Sequence, residues 1–245
     1  MQLQKNHFNR IASKYLEHYD DLWSQKYRYK YINEPMFENI QLSGMKVVEG
    51  MCGFGATTGY LLSKGAYVTG IDISENMINI FRKKWPNCTA LCTSTLETGL
   101  ESESFDCVTV VGGLHHLHPK VKESIQEIHR ILKVGGFFCF LEPHKGSLMN
   151  LFRSYWYKLD KLFADNEEAI DLEALKMNFS SKFDFIKEEY KGNIAYLLVF
   201  QSLIFRMPLK LKSIYSPSLM WLESIIEKVL GKKSSCVVLC QWKKI

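Results

Sequence analysis

The chemistry-bearing residues of this chain begin in the run VVEGMCGFG, where Gly50, Gly53 and Gly55 follow a short apolar strand that ends on Glu49. In an open parallel sheet, ligands bind beyond the carboxyl ends of the strands, and the loop leaving the first strand must let its backbone come close to the ligand. A side chain at Gly53 or Gly55 would block that approach or demand a positive φ that most residues resist. A tight strand-to-helix turn needs such glycines too, so the loop alone does not name a ligand. Asp72 is the second element. It closes the run YVTGID, seventeen residues beyond Gly55, where a carboxylate can accept hydrogen bonds from both hydroxyls of a ribose. Ser74, just before the run ENMINIF, is expected to cap the following helix, which leaves Asp72 for the sugar. Loop and acid together predict a nucleoside pocket.

A dinucleotide is the first ligand to weigh, but its G-x-G-x-x-G fingerprint needs a glycine at the position held by Thr58. That third glycine lets a helix N-terminus approach a pyrophosphate. S-Adenosylmethionine carries no phosphate, so the incomplete fingerprint favours it. Two other readings stay open on these residues: an NAD(P)-dependent reductase with a degenerate loop, and a non-catalytic nucleoside-binding protein.

Methyl transfer from a sulfonium is an in-line displacement, for which a protein mainly supplies orientation and a partly dehydrated enclosure. If the acceptor is a hydroxyl, a neutral imidazole can take its proton near neutral pH. Three histidines fall at the expected edge of the sheet: His115 and His116 in the loop after the fourth strand, and His144 just past the fifth. They are the candidate catalytic residues, although each could serve only to organise its loop. No acid with HExxH-like spacing accompanies them, so no metal site is expected. Tyr15 and Tyr19, four residues apart, share a helix face that can close over a methyl donor or pack on the core.

These residues need a scaffold, and the hydrophobic pattern describes one. From Phe8 to Phe37 apolar residues recur at three- and four-residue spacing, which predicts an amphipathic helix. Strands are predicted over Lys46–Glu49, Tyr67–Ile71, Thr89–Cys92, Asp106–Val111 and Gly136–Leu141, and helices over Ala56–Lys64, Glu75–Lys84 and Val121–Leu132. Lys133 to Gly136 is expected to end the last of these helices. Short apolar strands joined by helices imply a parallel sheet covered on both faces. After Pro143 the pattern predicts a helix over Leu148–Phe163, a polar acidic stretch, and two strands at Ile194–Val199 and Ser235–Trp242 separated by an insertion. The expected fold class is therefore α/β: a doubly wound, mostly parallel seven-stranded sheet with an antiparallel C-terminal strand and helices on both faces. The 245 residues suit a single domain. Within it, 1–44 would form an N-terminal helical lid, 45–143 the cofactor-binding core, and 144–245 the acceptor-side insertions and C-terminal strands.

The segment from Val47 to Pro143 resembles the class I, Rossmann-like family of S-adenosylmethionine-dependent methyltransferases. Four runs carry the resemblance in order. VVEGMCGFG is similar to the family's first motif, GIDIS to its ribose acid, SFDCVTVVGGLHHL to its fourth strand and exit loop, and EIHRILKVGGFFCFLEP to the helix, turn and strand that follow. The resemblance implies that Glu49 and the backbone from Gly50 through Met51 to Gly53 hold the methionine end of S-adenosyl-L-methionine. It implies Asp72 on the ribose, Ile73 and Met77 against adenine, Ser94 and Thr95 beside the adenine, and the Gly112 carbonyl near the amino group. Two residues depart from the family's pattern: Met51 stands where a glycine usually opens the loop, and Ser94 where an acid often meets the adenine amino group. The expected activity is in-line methyl transfer to oxygen or nitrogen of a small-molecule acceptor.

A net charge of +5, with Lys and Arg spread along the chain, gives no basis for a nucleic-acid partner. Seven cysteines form no CxxC pair and are expected to be reduced and mostly buried. The polar run MQLQKNHFNR lacks the apolar centre of a secretion signal, so a cytoplasmic location is expected. No stretch reaches the roughly 20 apolar residues of a membrane-spanning helix. Tyr155, Trp156, Met207, Tyr215, Met220 and Trp221 are candidates for an acceptor pocket. The stretch from Arg206 to Lys233 sets Lys210, Lys212, Lys228, Lys232 and Lys233 against Leu, Ile and Trp, a pattern of either peripheral membrane contact or a solvated helix face. Nothing in the sequence fixes an oligomeric state.

Overall fold

Short runs rich in Val, Ile and Phe form one seven-stranded sheet in the computed structural model, which describes residues 15–148, 168–229 and 231–245. The strands are β1 (Lys46–Gly50), β2 (Tyr67–Asp72), β3 (Thr89–Cys92), β4 (Phe105–Val111), β5 (Leu132–Pro143), β6 (Phe183–Lys191) and β7 (Val237–Lys244). Their order across the sheet is β3-β2-β1-β4-β5-β7-β6. The pairs among β1 to β5 are parallel, and β7 runs antiparallel to both β5 and β6. This is the doubly wound, mostly parallel sheet that the pattern predicts. Strand order reverses between β1 and β4, so their exit loops meet at the switch point where such sheets bind ligands.

Side chains alternate between the faces of a strand, and both faces are covered. On one face Val47, Cys107, Leu141 and Leu239 join a core with Tyr27, Leu61, Ile78 and Phe81. These come from α1 (Leu22–Tyr27), α3 (Thr58–Ser63) and α4 (Glu75–Lys84); α2 is the short turn Glu34–Met36. On the other face Val48, Val108, Phe138 and Trp242 pack with Ile125, Ile128, Leu175 and Phe179, which lie on α5 (Val121–Ile131) and α6 (Leu172–Phe179). The last helix is α7 (Leu209–Ile226). All seven cysteines are free thiols, five of them buried.

Several local expectations change. The N-terminal amphipathic stretch breaks at Asp20 and Asp21, because the Asp21 carboxylate accepts the backbone N–H of Trp23 and Ser24 and starts a new helix there. A π-helical turn, Arg28–Asn33, follows α1. Helix α5 stops at Ile131, and the glycine turn after it is a bulge inside β5: Leu132 pairs with Phe105 and Phe137 with Cys107. Ile194–Val199 is helical where a strand is expected, since Tyr196–Phe200 forms a π-helical turn. A short apolar run suits strand or helix equally by periodicity. Here the buried Glu223 of α7 accepts the N–H groups of Asn193 and Ala195 and starts the turn. The sheet position goes instead to β6, in the stretch that reads as polar. The expected helix beyond Leu148 lies outside the described residues, as do Tyr155, Trp156 and residues 1–14.

Candidate active site

The exit loop of β1 is a tight turn, with Cys52 N donating to the Ile71 carbonyl at 3.0 Å and Gly55 N to the Cys52 carbonyl at 2.8 Å. Gly53 and Gly55 both take positive φ, 54° and 79°, as their types suggest. A β-carbon on Gly55 would lie 2.5 Å from the Trp85 ring nitrogen, whereas one on Gly53 or Gly112 would meet no atom within 4 Å. The first thus packs the loop onto α4, and the other two border open space. Met51 has φ 52°, a left-handed conformation that costs a residue with a β-carbon about 1–2 kcal/mol.

Asp72 fastens this loop to β2. Its Oδ2 accepts the N–H of Gly53 at 2.9 Å and its Oδ1 that of Ser74 at 2.8 Å. Each carboxylate oxygen can accept a second hydrogen bond. Burial raises the Asp72 pKa, opposed by those two N–H groups. Ser74 caps α4 as expected, its Oγ accepting the N–H of Met77. Met77 is buried and Ile73 half-buried beside it. Thr95 is buried under Gly50, and its Oγ1 has no hydrogen-bond partner among the described residues. The Ser94 hydroxyl turns to its own loop and accepts the N–H of Leu96 at 3.1 Å.

Glu49 is buried at the end of β1 and accepts Thr57 N at 3.0 Å and Thr58 Oγ1 at 2.5 Å. Its carboxylate therefore occupies the start of α3, where a pyrophosphate would seek backbone N–H groups; Thr58, the residue in place of the third glycine, helps hold it there. Burial pushes the Glu49 pKa up. Beside it lies Arg28, which sequence reasoning missed. Arg28 is buried, reaches Thr57 Oγ1 at 3.4 Å, sits 5.0 Å over the Phe200 ring, and leaves its Nε without a hydrogen-bond partner among the described residues. Tyr15 stacks on Tyr19 at 4.3 Å and meets the Phe54 ring edge-on at 6.1 Å. Burial raises its phenol pKa, Arg28 opposing the rise and Asp72 and Glu49 adding to it.

The exit loop of β4 is held by a second residue that the sequence did not mark, Glu142. Fully buried at the end of β5, it accepts Gly113 N and Leu114 N at 2.7 Å each on Oε1 and His115 N on Oε2. Oε2 also lies 2.8 Å from His115 Nδ1. Burial raises this carboxyl to about 7. The rings of His115 and His116 are 3.9 Å apart. His144 has other partners: it is buried, with Nε2 3.2 Å from the Ser235 carbonyl and its ring edge-on to Tyr190. Of the candidate acceptor residues, Tyr215 and Met220 pack against the core, whereas Trp221 is exposed. Among the described residues no three His, Cys, Asp or Glu side chains are grouped to hold a metal ion.

The fold that carries these two exit loops, one fixed by an acid on β2 and the other by an acid on β5, is shared with known proteins. Residues 49–140 match the family model described as a methyltransferase domain. That stretch is similar to methyltransferase domains, and the chain has the fold of S-adenosylmethionine-dependent methyltransferases. Demethylmenaquinone methyltransferase of Staphylococcus aureus is 33% identical over 154 residues, which cover 57% of this chain and 63% of that protein. An uncharacterized methyltransferase of Synechocystis is 33% identical over 112 residues, 45% of this chain and 53% of that one. The chain thus spans less than two thirds of the curated relatives it matches. A SAM-dependent methyltransferase from Thermotoga maritima superposes with a TM-score of 0.65 at 18% identity, covering 98% of this chain and 99% of the other. One from Archaeoglobus fulgidus gives 0.62 at 18%, covering 94% and 98%. These two share the fold.

S-Adenosylmethionine, the cofactor that these similarities imply, fits the residues present. Gly53 and Gly112 border open space, and Thr95 Oγ1 and Arg28 Nε are buried polar atoms without hydrogen-bond partners among the described residues. Such atoms are costly unless something satisfies them.

Proposed function

We propose that this chain transfers the methyl group of S-adenosylmethionine to oxygen or nitrogen of a small-molecule acceptor by in-line displacement. The observation that carries this reading is the Asp72 carboxylate at the end of β2, bonded to Gly53 N of the β1 exit loop at 2.9 Å with acceptor capacity left for a ribose. Glu49 and the backbone of Gly50, Met51 and Gly53 would hold the methionine end, with Arg28 on its carboxylate. Ile73, Met77 and Thr95 would face adenine, and the Gly112 carbonyl the amino group. Ser94 would contribute less than an acid would, because its hydroxyl already serves Leu96. Tyr15 would close over the donor, in keeping with 1–44 as a lid over the core at 45–143, and 144–245 would supply the acceptor side.

When bound, the cofactor supplies an electrophilic methyl group: the acceptor's lone pair forms the new bond, the carbon–sulfur bond breaks, and S-adenosylhomocysteine leaves. The protein's part is orientation and proton removal. Glu142 fixes the His115 ring through Nδ1, so an acceptor proton would go to Nε2 of His115. His116 lies against that ring and shares the loop. His144 stands at the acceptor side, oriented by the Ser235 carbonyl. The small-molecule class is supported by the staphylococcal relative, which is named for demethylmenaquinone, and we place the reaction in the cytoplasm. The test is release of S-adenosylhomocysteine from methyl-labelled donor in the presence of panels of phenols, amines and quinols. Acceptor-dependent release that falls in His115→Ala supports the reading. Donor binding with no release against any acceptor would favour a non-catalytic nucleoside-binding protein.

A further inference from the structure

Helix α7 packs Tyr215, Leu219 and Met220 against the core, yet its fully buried residues are polar. Lys212, Ser216 and Glu223 are its buried residues. The Lys212 ammonium donates to Asp21, Ser24 Oγ, Ser202 Oγ and the His18 carbonyl. Glu223 accepts from the Tyr27 hydroxyl as well as from Asn193 N and Ala195 N. The outward side carries Leu211, Ile214, Trp221 and Ile225, all exposed and spaced by three, seven and four residues, so that they share one helix face. Ile214 is 73% and Trp221 66% exposed. A surface helix of a globular protein ordinarily turns a charged or polar face outward, and an exposed apolar stripe of this kind marks an interaction surface.

The charges around the stripe say what would cover it. Arg206, Lys210, Lys228 and Lys233 are exposed near its two ends, and Lys232 is paired with Glu173. The two acids of the segment are turned away: Glu223 is buried, and Glu227 is half-buried with Lys191 at 3.8 Å. The outward face is therefore apolar with a cationic border. Two copies of the chain meeting through it would bring these like charges together, which is unfavourable. No described helix is long and apolar enough to cross a membrane.

We infer that α7 docks peripherally on a membrane surface that contains anionic lipid. The Leu211, Ile214, Trp221 and Ile225 stripe enters the boundary between headgroups and acyl chains, and the flanking cations lie on the headgroups. The inference stands on the helix alone and holds whatever the acceptor.

The test is flotation with vesicles of phosphatidylcholine alone and of phosphatidylcholine mixed equally with phosphatidylglycerol, for the full chain and for Ile214→Glu/Trp221→Glu. Both substitutions are at exposed positions outside the cofactor site, so the variant should keep its Tm and its S-adenosylhomocysteine binding. The full chain is expected to float with the mixed vesicles and not with phosphatidylcholine alone, to be released by high salt, and to show a blue shift of tryptophan emission. The double variant should bind at least about tenfold more weakly. The inference is overturned if the full chain ignores the mixed vesicles, or if the double variant floats as well as the parent. A vesicle-blind protein that forms a dimer broken by Trp221→Glu also overturns it, in favour of a second copy as the occupant.

Discussion

The side chain of Met51 fills the space over Gly113: a β-carbon on that glycine would lie 2.7 Å from the Met51 sulfur and 3.1 Å from its Cβ. The exit loops of β1 and β4 are thus interlocked. The residue that departs from glycine at the head of the first loop, itself at φ 52°, is matched by a glycine in the second. A larger residue on one side is tolerated because the other side has none.

Gly113→Ala is expected to destabilise the protein by about 1–3 kcal/mol through overpacking. Adding Met51→Gly should recover part of that loss, because it removes the clash and the left-handed strain together. Val110 Cγ1, which would lie 2.9 Å from the new β-carbon, keeps the recovery incomplete. Denaturant unfolding of the two single variants and the double variant measures the coupling, and strictly additive effects would contradict the interlock.

Glu142 makes a pH-dependent contribution of known sign. Burial holds its carboxyl at about 7 instead of the ordinary 4.5, so the folded state binds this proton more tightly than the unfolded state. Its contribution is fully present below 4.5 and is lost as pH rises through about 7. Glu142→Gln should lower Tm overall, since one amide oxygen replaces a carboxylate that accepts three backbone N–H groups. It should also flatten the decline of Tm across that window. A variant whose Tm declines as steeply as that of the parent would refute the assignment.

How far the sequence reveals such features depends on the range of the interactions behind them. Strands β1 to β5 are legible because each is a short apolar run closed by a turn residue, and Asp72 because its distance from the glycine loop is set by one strand–helix–strand unit. Strand β6, FDFIKEEYK, is not, because an edge strand can leave much of its surface in water and so needs no apolar pattern. Ile194–Val199 misleads because a carboxylate on α7, some thirty residues later, decides its conformation. Arg28 finds Thr57 and Glu142 finds Gly113, each across 29 residues, and no local pattern announces either. The only hint for Glu142 is an acid closing the apolar run FFCFLEP, since a buried acid must have partners.

Arg28→Ala should separate the two ends of the cofactor. Losing a charge-assisted bond of about 1.5–3 kcal/mol corresponds to a roughly 10- to 100-fold weaker affinity for S-adenosylhomocysteine. Methylthioadenosine, which lacks the amino-acid end, should bind the variant as it binds the parent. Equal losses for both ligands would place Arg28 in the fold instead of at the methionine carboxylate.

Lys212 is a stability residue. Its side chain is 2% exposed, and that of its partner Asp21 21%. Lys212→Met removes the ammonium while keeping the apolar stem and leaves Asp21 without its main counter-charge. A loss of about 3 kcal/mol is expected, the low end for a broken buried pair because Asp21 retains some contact with water. Thermal unfolding measures it, and an unchanged Tm would show that the pair does not fasten α7 to the N-terminal segment.

Calorimetry with S-adenosylhomocysteine and with NADH, on the parent and on Asp72→Ala, tests the central claim most directly. The parent should bind S-adenosylhomocysteine and not NADH. The variant, which loses both the proposed ribose partner and the bond that holds Gly53, should bind about 100-fold more weakly or not at all. Binding of NADH in place of S-adenosylhomocysteine, or undiminished binding by Asp72→Ala, would contradict it.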